Sequence, residues 1–177
     1  MDTELFTLMI IGAVMVFGTY LYAFQSGKGM TLWAGVEPQY RIYYTISGVF
    51  AGLVFIYLFW YYVFWREHKT EHFRTSVSLA MGFIIYGSAV WVPLTFLGLS
   101  NPTYKILSVI ALFLVSIGSI LLITATASEE NSVEEQDTRK YVEHDIFWKL
   151  AIAFASIFAF HVTFLDLLSW GPSYLAN

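Results

Sequence analysis

The sequence predicts an all-α membrane protein, an up-down bundle of five transmembrane helices with the N-terminus inside and the C-terminus outside. Three observations carry this. Of 177 residues, 58% are hydrophobic and only 12% charged, with a mean hydropathy of +0.64, whereas soluble domains run at about 45–50% apolar and about 25% charged. The apolar residues gather in five runs, each near the roughly 20 residues that cross a hydrocarbon core of about 30 Å. None of these runs alternates as a barrel strand does, and in lipid a helix is what satisfies its own backbone.

The first run, 5–24, follows Met1-Asp2-Thr3-Glu4. That acidic start lacks the positive n-region of a secretory signal, so a retained helix is expected. The second, 42–65, carries Gly48 and Gly52 in a GxxxG pattern. The third, 76–97, carries Tyr86, Ser88, Trp91, Pro93 and Thr95. The fourth is 106–127. The fifth, 146–170, holds an Ala151, Ala155, Ala159 stripe and then His161, Thr163 and Asp166. Small-residue stripes let helix backbones approach, so the second and fifth helices are expected to be the most buried pair. Short connections make neighbouring helices antiparallel. No internal repeat and no second domain interrupts residues 1–177.

Basic residues set the orientation. Arg66, Lys69, Arg74, Arg139, Lys140 and Lys149 fall on the side of the N-terminus, against Lys28, Arg41 and Lys105 on the other. Positive-inside bias then puts the N-terminus inside. Trp33, Trp60, Trp65, Trp148 and Trp170 sit near helix ends, where an interfacial aromatic belt is expected.

Composition excludes several functions. A net charge of −4 gives nucleic acid no footprint. The absence of cysteine removes disulfides, thiolate metal sites and thiol nucleophiles. No lysine lies deep in a span to hold retinal, and one transmembrane histidine cannot ligate haem twice. The acidic segment 129–145 lacks the order of a calcium loop. No motif names a cofactor.

Ionisable residues inside a span are costly and mark function. His161 falls near the midplane and Asp166 about one turn before Trp170. Five residues along an α-helix turn about 500°, so the two side chains are expected about 140° apart, without direct pairing. At the same depth come Trp91, Pro93 and Thr95, then Tyr20, Tyr22 and Gln25, then Arg41, Tyr44 and Ser47. The expectation is an outward-opening pocket lined by His161, Asp166, Trp91, Thr95, Tyr44 and Arg41. The first outer loop, with Trp33, Glu37 and Arg41, would cover it, and a basic residue there would hold Asp166 ionised.

Residues 68–72, His-Lys-Thr-Glu-His, match the H-x-x-E-H box. The expected metal ligands there are His68 and His72, completed by His144 or Glu143. The function expected from these features is binding or transport of a small lipophilic or amphipathic molecule in that outer-leaflet pocket. The alternatives are a non-catalytic structural or assembly subunit, and a metal-dependent enzyme at the inner face. Expected partners are the lipid bilayer, the lipophilic ligand, and a second copy or other subunits of a membrane complex.

Overall fold

The structure, a computed structural model, describes residues 3–65, 71–128 and 138–176. Its helices are α1 (Thr3–Gln25), α2 (Arg41–Trp60), α3 (Glu71–Gly98), α4 (Pro102–Ser128), α5 (Thr138–Phe160) and α6 (Gly171–Ala176). Two π-helical segments extend them: Tyr61–Trp65 continues α2, and His161–Trp170 joins α5 to α6. Five helices are long and apolar enough to cross a membrane, among the described residues. By that measure this is a multi-pass membrane protein.

Local chemistry fixes the helix ends. Gly27, at φ 71°, closes α1: its N–H donates to Phe24 O and the Lys28 N–H donates to Ala23 O. That is a Schellman cap, whose left-handed residue is best supplied by glycine. Two 3₁₀ turns, Gly29–Trp33 and Pro38–Tyr40, lead into α2, and Arg41 Nε donates to Val36 O at 2.9 Å across that entry. Asn101 caps α4, accepting the Thr103 N–H at 3.0 Å, with Pro102 in the first helical position, where its missing N–H costs nothing. The helices overrun the apolar runs (α3 starts at Glu71 rather than 76, α4 at Pro102 rather than 106) because a helix continues into polar surroundings without apolar residues.

The closest pairing is α3 with α4, not the expected second helix with the fifth. A Cβ at Gly118 would lie 2.7 Å from Ala80 O and 2.8 Å from Phe83 Cβ, and one at Gly87 would lie 2.6 Å from Val115 Cγ2. These single glycines let the two backbones touch. Gly52, by contrast, has nothing within 4 Å of a Cβ position, and Gly48 only the edge of Trp33. The GxxxG pattern therefore does not drive packing within the chain. The alanine stripe does face inward: Ala151, Ala155 and Ala159 are buried.

The core divides in two. One cluster joins Leu5, Met9, Leu58, Tyr61, Val77, Met81, Leu122 and Ala151, among others. The other gathers Trp33, Trp91, Val92, Leu112, Trp170 and Tyr174. Of the five tryptophans expected in an aromatic belt, Trp33, Trp148 and Trp170 are instead buried inside the protein, whereas Trp60 is exposed and the side chain of Trp65 lies outside the described residues. For Trp33 and Trp148 the protein supplies the hydrogen-bond acceptor that headgroups would otherwise offer, while Trp170 packs on Trp91 and Tyr174. Trp33 Nε1 donates to Thr45 Oγ1 and Trp148 Nε1 to Thr126 O, each at 3.0 Å.

Candidate functional site

The fifth span is not an unbroken α rod. From His161 to Trp170 its turns are π-helical, and the Gly171 N–H donates back five residues to Asp166 O. A π turn stacks residues i and i+5 rather than i and i+4. That overturns the expected 140° separation: His161 Nε2 lies 3.3 Å from Asp166 Oδ2. The two form the same-face pair that α-helical geometry forbids. Both are about nine-tenths buried.

The other ring nitrogen is also engaged. Ser47 Oγ, on α2, lies 2.7 Å from His161 Nδ1. In the tautomer that carries its hydrogen on Nε2, toward Asp166, Nδ1 is an acceptor and the Ser47 hydroxyl is its donor. Further bonds hold the π segment in place. Tyr44 Oη and Ser169 Oγ are 2.6 Å apart, and Ser116 Oγ and Thr163 Oγ1 are 2.7 Å apart. The segment is thus tied to α2 on one side and α4 on the other.

A box of rings adjoins the C-terminal end of this segment, through Trp170 and the Tyr44–Ser169 contact. Trp91 contacts Tyr20, Trp33 and Trp170 at centroid distances of 6.1, 5.7 and 5.5 Å. Trp33 lies 5.3 Å from Tyr44, and Trp170 stacks on Tyr174 at 4.5 Å. Of the loop residues expected to cover the site, Trp33 packs against Trp91. Gly35 secures that loop. Its φ is +91°, and a Cβ there would sit 2.6 Å from Ser173 O, so the chain passes directly over the C-terminal segment.

Three buried polar atoms of this region have no hydrogen-bond partner: Asp166 Oδ1, Trp91 Nε1 and Trp170 Nε1. The first only accepts when ionised, and the other two only donate. Leaving such atoms unpaired costs about 1–3 kcal/mol each, so each asks for an explanation.

The expected site residues divide accordingly. His161, Asp166, Trp91 and Tyr44 come together. Thr95 is buried but already occupied, its hydroxyl donating to Trp91 O at 2.9 Å and lying 2.8 Å from Ser108 Oγ. The Tyr174 hydroxyl donates to Thr95 O, so Thr95 ties α3, α4 and α6 together. Arg41 turns to Val36 O. No described ion pair joins it to Asp166, whose recorded partner is His161. Pro93, Tyr22 and Gln25 are exposed rather than turned to the cluster. Thr163, expected among the informative residues of the fifth helix, serves as a support through Ser116. Ser169 and Ser116 add supports whose sequence signal is slight, a hydroxyl in an apolar run.

His68 and the side chain of His144 lie outside the described residues, and His72 is exposed. Among the described residues no three metal-binding side chains converge. The chain matches no protein-family model, no curated protein and no solved structure.

Proposed function

We propose that this protein binds a small amphipathic molecule at the Trp91, Trp170 and Asp166 cluster, either to hold it or to move it across the membrane. The observation that carries this reading is the trio of unpaired buried atoms. One acceptor and two donors among aromatic rings suit a polar head with both a hydroxyl, which donates to Asp166, and an oxygen acceptor for the indoles. An apolar tail would lie against the rings or the surrounding lipid. Binding sites of this kind are mostly apolar, with a few placed polar groups that fix orientation.

The basic-residue bias supports placing the N-terminus inside and the C-terminus outside, with the helices in up-down order and the cluster in the outer leaflet. Loading would then be from the outer side.

The test uses 1-O-octylglycerol, an ether with a hydroxylated head, titrated into the protein in lipid nanodiscs. Tryptophan emission is expected to change and saturate. Asp166→Ala should weaken binding by about tenfold or more, the scale of one hydrogen bond to a charged group. An emission that never saturates in the unaltered protein overturns the reading.

A second reading, a non-catalytic subunit, is favoured by the outward face of α2, where Gly52 and its neighbours Val49, Leu53 and Ile56 are exposed. Mass measurement after mild detergent extraction tests it: a partner or second copy supports it, and a lone chain opposes it.

A further inference from the structure

Ser47, His161 and Asp166 form one line of hydrogen-bonding groups. Ser47 Oγ lies 2.7 Å from His161 Nδ1, and His161 Nε2 faces Asp166 Oδ2 at 3.3 Å. Ser47 comes from α2, while the other two come from the π segment. The i, i+5 register is what brings His161 and Asp166 onto one face, and π turns recur at functional sites.

The logic is that of a serine nucleophile, a histidine base and a carboxylate that holds the ring in one tautomer. In the familiar hydrolases the carboxylate takes Nδ1 and the nucleophile faces Nε2. Here the ring is turned over. The relay is unaffected, because either nitrogen of a neutral imidazole accepts a proton once the other carries its hydrogen. Two unpaired indole N–H groups, Trp91 and Trp170, belong to the adjoining cluster, and an ester carbonyl is an acceptor that suits them.

We propose that this triad hydrolyses a carboxylic ester of an amphipathic lipid, with Ser47 as nucleophile, His161 as base and Asp166 as the positioning residue. The inference rests on the binding reading above and names the substrate class of that same site. A lone pair of Ser47 Oγ forms a bond to the acyl carbon while the hydroxyl proton passes to His161 Nδ1. The carbonyl pair moves to oxygen and returns as the bond to the alkoxy oxygen breaks. The alcohol leaves with the proton from Nδ1. Water then attacks the acyl-Ser47 ester, giving its proton to Nδ1. The acid departs, and that proton returns to Ser47 Oγ. The sum is ester plus water to acid plus alcohol, with no oxidant or reductant.

The test is covalent labelling of the full-length protein in nanodiscs with a fluorescent fluorophosphonate, alongside hydrolysis of p-nitrophenyl octanoate. Labelling is expected at Ser47, identified by mass spectrometry, and lost in Ser47→Ala. In His161→Gln it should slow by at least about 100-fold, the usual worth of a general base. Asp166→Asn should slow it with the melting temperature retained, and Asp166→Glu should restore part of the rate. Absence of labelling in the unaltered protein overturns the proposal, as does labelling that survives Ser47→Ala or is undiminished in His161→Gln. If 1-O-octylglycerol still binds saturably in that case, the catalytic inference fails and the binding reading stands. If it does not bind, both fail.

Discussion

His161 and Asp166 pair across one π turn, 3.3 Å apart, five residues from each other in a single helix. That spacing makes the histidine the middle of a three-group chain whose far end, Ser47, lies on a different helix. Removing His161 strands a hydroxyl on one side and a carboxylate oxygen on the other.

The energetic consequence is measurable by unfolding in detergent. His161→Ala should destabilise the protein by about 1–3 kcal/mol, the cost of leaving buried groups unpaired. Ser47→Ala combined with it should cost less than the two singles added, because the hydroxyl has already lost its acceptor. Strict additivity would mean that Ser47 and His161 do not touch.

Helix packing gives a sharper contrast between two glycines. Gly118→Ala places a methyl 2.7 Å from Ala80 O and 2.8 Å from Phe83 Cβ. Overpacking of this kind costs about 1–3 kcal/mol. Gly52→Ala meets nothing and should be neutral or stabilising by up to about 1 kcal/mol, since alanine favours helix. Thermal melts of the two variants in one detergent decide the matter.

The π segment's seat against α4 is open to cross-linking. The chain has no cysteine, so an introduced pair is the only thiol pair present. Ser116 Oγ and Thr163 Oγ1 are 2.7 Å apart. Ser116→Cys with Thr163→Cys should oxidise to a disulfide, while Ser116→Cys with Phe164→Cys, at an exposed position, should not. Equal yields would contradict the placement.

The connection over the ring cluster depends on Gly35. Gly35→Ala adds strain at φ +91° and a 2.6 Å approach to Ser173 O, a cost of about 1 kcal/mol or more. Docking of Trp33 should loosen with it. Acrylamide quenching of tryptophan emission is expected to rise relative to the unaltered protein.

The spans were legible because apolar runs and membrane thickness speak the same language of length. The grouping was legible in part: Trp91 and Tyr44 do reach the segment that holds His161 and Asp166. Direction was not. Apolar periodicity does not distinguish a π turn from an α turn, so the i, i+5 pair reads as two side chains facing apart. Position near a helix end gives a tryptophan's depth and not the way its ring points, which is why Trp33, Trp148 and Trp170 read as a belt. Small residues mislead for a related reason. Gly48 and Gly52 make a motif but meet no helix, whereas lone Gly87 and Gly118 carry the tightest interface. Which glycine matters is decided by the partner, and the partner is a tertiary fact.

The most direct measurement is an indole ¹⁵N–¹H spectrum of the six tryptophans during titration with 1-O-octylglycerol. The Trp91 and Trp170 side-chain N–H signals, unpaired in the structure, should shift and saturate together. Those of Trp33 and Trp148, already bonded to Thr45 and Thr126, should move little. Saturable shifts confined to Trp33 and Trp148, or no shift in any indole, would contradict a binding site at this cluster.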